Sequence, residues 1–154
     1  MPKHITWFVT WLPLLKFAQA ICYLLIIVVF IDGREQWFLY NQVFLLSFLA
    51  LFFTLFSILA RCFELETRMP FDAADMVSNL ALTIVCLLSS TVLLWDIWNM
   101  RQGPSKYKYH VRLAPVNIGQ EAWMRRCIIA STSLLLAGIM HIITYLKLYQ
   151  QRQQ

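Results

Sequence analysis

The chain has 154 residues, 60% hydrophobic and only 14% charged, with a formal net charge of +5. A soluble domain carries about 25% charged residues, and a chain this short has too little interior to bury so much apolar surface, so a water-soluble enzyme or binding domain is excluded. In so apolar a chain the positive balance is not a sign of nucleic-acid binding.

The apolar residues gather into four blocks, each near the roughly 20 residues a helix needs to cross the hydrocarbon. The first covers 12–31 and is closed by Asp32 and Gly33. Lys3 and His4 ahead of it, with Ala18-Gln19-Ala20 as a small-residue cleavage site, would suit a signal peptide. However, the apolar run continues unbroken to Ile31 and Lys16 interrupts the would-be signal core, so the block reads as a retained signal anchor. After a tight hairpin from Asp32 to Gln36, the second block covers 40–60, crowded with Phe and Leu and closed by Arg61. The third covers 76–95 and is closed by Asp96, and the fourth covers 127–147, opened by Arg125 and Arg126. A short polar tail, 148–154, follows. The expected fold is all-α, one four-helix transmembrane bundle with a tight first outer loop and a longer basic loop between the third and fourth helices. Trp7, Trp11, Trp37, Tyr40, Trp95, Trp98, Trp123, Tyr145 and Tyr149 fall at block ends, where amphipathic rings favour the headgroup level.

Four spans put both termini on one side of the bilayer. Six of the 13 lysines and arginines flank that side and seven the other, so charge does not set the orientation. Cys22, Cys62, Cys86 and Cys127 form no C-x-x-C pair and share no loop, which argues against a thiol redox enzyme or a disulfide-stapled ectodomain. Cys62, beside the membrane, is a candidate for palmitoylation, against an unmodified small apolar residue of equal weight. There is no N-x-S/T acceptor.

Polar groups within the spans are the candidates for function. His141 lies in the fourth span, and Asn79 and Thr83 share a face of the third, with Asp75 one turn earlier at the membrane edge. Because the third span enters and the fourth exits on one side, His141 should lie within about one helical turn of Asn79 and Thr83 in depth, close enough for a polar clasp. Such bonds average about 0.6 kcal/mol in membranes, so the clasp is by itself a modest packing device. The competing use is a proton or solute path, or a lipid-modifying site, built on His141 with Asn79, Thr83 and Asp75. Lys16 is expected to lean back to the interface, its stem being apolar, and it and Gln19 one turn on could anchor to Asp75 or to lipid phosphate. Ser133, Ala137 and His141, with Ala130 and Thr144 nearby, give the fourth span a small face suited to close helix packing. Lys106, Tyr107, Lys108, Tyr109, His110 and Arg112 form a basic stretch with interleaved aromatics. It is a lipid-contact patch if cytosolic and a contact surface or solvated loop if not. No nucleophile arrangement, metal cluster or phosphate loop stands out, and no cofactor is expected.

Three stretches resemble one family. Leu14-Leu15-Lys16-Phe17-Ala18-Gln19 leads into an apolar helix ending at Asp32-Gly33. Met69-Pro70-Phe71-Asp72-Ala73-Ala74-Asp75-Met76 with Asn79 opens the third span, and Tyr145-Leu146-Lys147-Leu148-Tyr149 closes the fourth. Together with the four-span layout they resemble MARVEL-domain proteins, the group of MAL, the chemokine-like-factor relatives and the synaptophysins. The long loop is more basic than in MAL-like members and lacks the cysteines of the synaptophysin type. Claudin-like proteins carry a long first outer loop and tetraspanins a cysteine-bearing second one, neither of which is present. The resemblance implies a non-enzymatic protein that organises membranes or traffics in them through lateral contacts. Its partners would be membrane lipids and other transmembrane proteins or further copies of itself, with no nucleic acid. It also implies cytosolic termini and residence in the plasma membrane or endomembrane vesicles. An accessory subunit of a larger membrane complex is a third reading of the same features.

Overall fold

The computed structural model describes residues 11–63, 71–102 and 114–153. In them the chain forms four long helices, α1 (Trp11–Phe30), α2 (Phe38–Cys62), α3 (Phe71–Gln102) and α4 (Gln120–Gln153), with a 3-10 turn at Arg34–Gln36 and no strand among the described residues. All four are long and apolar enough to cross a membrane. In hydrocarbon every backbone amide must be satisfied within its own segment, which a helix does completely.

Burial in this bundle is inverted relative to a soluble one. The inward seam of α1 is Leu12, Lys16, Gln19, Tyr23, Ile26 and Phe30, and that of α4 runs Trp123, Cys127, Ala130, Leu134, Ala137, His141, Thr144 and Leu148. Both repeat at alternating three- and four-residue steps, the period of left-handed helix bundles. The seams of α2 and α3 add Ser47, Thr54, Ser57, Asn79, Thr83, Ser90 and Asp96. Outside stand Ile21, Leu25, Phe48, Phe52, Leu88, Ile139 and many other large apolar side chains. An apolar coat of that extent would drive association in water, and against lipid it costs nothing. The bundle is a multi-pass membrane protein by this pattern as well as by helix length.

The helices form a ring. α3 packs extensively on α4, α4 on α1 and α1 on α2, whereas α2 and α3 meet along a thin seam. The α3–α4 contact is close because Gly138 faces Cys86, where an added Cβ would stand 3.4 Å from the Cys86 Cβ. Lower in the same contact the Ser90 and Ser131 hydroxyls are 2.9 Å apart.

The helices overrun the expected spans. α3 does not stop at Asp96 but continues to Gln102, and α4 begins at Gln120 and runs through the supposed polar tail to Gln153. The added turns are held by burial of Asp96, Ile97, Asn99, Met100 and Trp123. At about 1.5 Å per residue, α3 and α4 measure about 48 and 51 Å, against about 30 Å of hydrocarbon. The basic stretch with Lys106, Lys108 and Arg112 lies outside the described residues, as does Trp7.

The aromatic belt is also partly corrected. Trp11, Trp95, Trp98 and Tyr149 are exposed, but Tyr40 and Trp123 are fully buried. They plug the α1–α2 hairpin end of the bundle. Trp123 meets Phe30 edge-on with centroids 5.4 Å apart and Tyr40 at 5.2 Å, and Trp37 caps Tyr40 at 5.2 Å. The Tyr40 hydroxyl donates to buried Asp96. Gly33 makes the plug possible, because a Cβ there would run into the Trp123 ring. Arg126 holds the hairpin from α4 by an ion pair to Asp32 at 2.9 Å.

Candidate functional site

At the opposite end, nearer the termini, side chains from all four helices meet in one buried polar cluster. Asp75 is its centre. Lys16 Nζ donates to Asp75 Oδ1 at 2.8 Å, and Arg61 donates to Asp75 Oδ2 at 3.2 Å and to exposed Asp72 at 2.9 Å. The two cations and two carboxylates balance. Arg61 also lies over the Phe71 ring at 5.4 Å, inside the roughly 6 Å reach of a cation–π contact.

Lys16 therefore does not lean back to the interface. Its side chain is 4% exposed, and it points across the bundle into α3. Gln19, in contrast, does not reach Asp75; its amide donates to Thr144 Oγ1 on α4 at 3.1 Å.

Asn79 links this ionic knot to His141. Its amide nitrogen donates to Asp75 Oδ1 at 2.9 Å and to the Asp75 carbonyl at 2.6 Å. Its Oδ1 then accepts from Lys16 at 3.3 Å and from His141 Nδ1 at 2.8 Å. A lysine ammonium can only donate, which fixes the orientation of the Asn79 amide and places the imidazole proton on Nδ1. Nε2 is left to accept from the Tyr23 hydroxyl at 2.7 Å, and the phenol oxygen in turn accepts from the Cys86 thiol at 3.2 Å. The result is a chain of hydrogen bonds with one sense, from thiol to phenol to imidazole to amide to carboxylate.

Of the four residues singled out in the spans, the structure brings together Asp75, Asn79 and His141. Thr83 is buried but turns its hydroxyl back to the Asn79 carbonyl of its own helix, at 2.9 Å. Cys62 stands half-buried at the end of α2. The small face of α4 turns inward, toward α1 and α3. Sequence reasoning passed over Tyr23 and Arg61, and Lys16 only partly declared itself. Tyr23 falls three or four residues from Gln19 and Ile26 on the α1 seam, and that spacing is the signal that could have found it.

Beside the cluster, in the thin seam between α2 and α3, lies a cavity of about 150 Å³. Lys16, Asp75 and Asn79 line its polar side, and Phe53, Phe56, Phe71 and Leu82 its apolar side. Among the described residues no group of three or more His, Cys, Asp or Glu is placed to hold a metal ion. Compared with known proteins, the chain matches no family model, no curated sequence and no solved structure.

Proposed function

We propose that the protein is a non-enzymatic membrane organiser of the MARVEL-like kind, a rigid four-helix body that acts through lateral contacts with lipids and with other transmembrane helices. The observation that carries this reading is the setting of His141. It is fully buried, both ring nitrogens are occupied, and the Asn79 carboxamide stands between it and Asp75. A carboxamide donates and accepts but does not pass a proton on, so the chain from Cys86 to Asp75 is interrupted as a relay and complete as a clasp. The outward apolar coat supplies the surface for lateral contact. Residence in the plasma membrane or endomembrane vesicles with cytosolic termini belongs to the same proposal.

The test is a flux measurement. Purified protein in liposomes carrying an internal pH dye, under an imposed proton gradient, is expected to leak no faster than empty liposomes, and the His141→Leu variant to behave alike. A flux present in the wild type and lost in His141→Leu at equal incorporation would overturn the proposal in favour of a proton path. A glycosylation acceptor inserted within 103–113 checks topology: glycan there supports cytosolic termini, and glycan on an N-terminal tag instead refutes them.

A further inference from the structure

We propose that the cavity between α2 and α3 is a binding site for the uncharged, hydroxyl-bearing head of a single membrane lipid, with Ser57 as its hydrogen-bonding partner. This deepens the lateral-contact reading by naming a lipid class, and its test is separate from the flux measurement.

Position, polarity and charge each point the same way. The cavity lies where the ring of helices is thinnest, and two of its walls, Phe53 and Phe56, belong to the exposed surface of α2. It is therefore walled partly by side chains that face the surrounding lipid. Ser57 lies five residues before the end of α2 at Cys62, about 8 Å of helix rise, near one end of a helix long enough to span.

The neighbouring hydroxyls are spent on their own helices. Thr54 donates to the Ala50 carbonyl at 2.8 Å and Ser78 to the Ala74 carbonyl at 2.8 Å. Ser57 lines the cavity, is 95% buried, and its oxygen has no hydrogen-bond partner. A buried hydroxyl left unsatisfied is destabilising, and a ligand hydroxyl accepting from and donating to it removes that penalty.

The ionic neighbours exclude a charged head. Lys16 and Arg61 are matched by Asp75 and Asp72, so a phosphate or carboxylate would have to displace Asp75 from its cations, and an ammonium would have to displace Lys16 from Asp75. The volume is that of a cavity that takes one benzene-sized group, enough for a glycerol head or the hydroxyl-bearing ring of a sterol while the apolar body stays in the bilayer.

The experiment uses the full chain in phosphatidylcholine nanodiscs with two photoreactive, clickable probes, a diacylglycerol and a sterol, and maps labelled peptides by mass spectrometry. Saturable labelling of 53–57 and 71–82 by one probe, competed by the same unlabelled lipid and not by phosphatidylserine, is expected, and the probe that saturates identifies the source. Ser57→Ala should weaken labelling about fivefold, the loss of one hydrogen bond. Ala74→Leu, which fills the cavity from an exposed position, should abolish it at an unchanged unfolding temperature. The proposal is overturned if both probes label the outer faces around Leu88 and Ile139 as strongly as the cavity, if phosphatidylserine competes equally, or if Ala74→Leu leaves labelling intact.

Discussion

Removing the carboxylate at residue 75 should damage the bundle more than removing the ammonium at residue 16, although the two form one ion pair. In Asp75→Leu, Lys16 keeps the Asn79 oxygen at 3.3 Å and Arg61 keeps exposed Asp72 at 2.9 Å among the described residues. Both cationic side chains are then buried, at 4% and 7% exposure, with their central counter-charge gone. Breaking a buried pair from one side typically costs about 3–5 kcal/mol. In Lys16→Met, Asp75 retains Arg61 at 3.2 Å and the Asn79 amide at 2.9 Å, so the main loss is the charged bond to Asp75, about 1.5–3 kcal/mol, with the longer bond to Asn79 going as well. Because the two residues touch, the double variant should cost less than the sum of the singles by about 0.5–3 kcal/mol. Reversible unfolding in mixed micelles with increasing SDS, followed by tryptophan fluorescence, measures all four corners of the cycle. Costs under about 0.5 kcal/mol for both singles, or strict additivity, would refute the buried pair and return Lys16 to the interface.

Two glycines should respond in opposite senses. Gly33→Ala drives a methyl group into the Trp123 ring and should cost about 1–3 kcal/mol in the same unfolding assay, whereas Gly138→Ala, with 3.4 Å to Cys86, should be neutral or stabilise by up to about 1 kcal/mol through helix propensity. Trp123→Ala removes the centre of the aromatic plug and should cost about 3–5 kcal/mol, read as a lowered unfolding midpoint and loss of near-UV dichroism. Tyr40→Phe keeps the ring packing and loses only the bond to Asp96, so it should cost about 1.5–3 kcal/mol; a cost equal to that of Trp123→Ala would refute the separation of packing from hydrogen bonding.

The four spans were legible because apolar block length is a one-dimensional property, and bilayer thickness sets it. The depth match between Asn79 and His141 was legible for a similar reason, since helix rise and topology place them at one level. The ends of α3 and α4 were not, because Asp96 and Arg126 read as stops in the chain while Ile97, Met100 and Trp123 are held by packing against other helices. Tyr40 and Trp123 look like belt residues by position, and only the ring of helices shows that they point inward. Lys16 was half legible: Asp75 could be named as an anchor, but nothing along the chain decides between a partner 59 positions away and the interface.

That separation has a temporal meaning. Synthesis proceeds at about 5–20 residues per second, so about 3–12 s pass between the making of Lys16 and of Asp75, and longer still before Thr144 is there to receive Gln19, 125 positions on. Through that interval the newborn first helix carries an uncompensated cation in the membrane. Reaching back to the headgroups, wrong for the finished bundle, is what the lysine of that nascent helix is free to do until the third helix arrives and draws it inward.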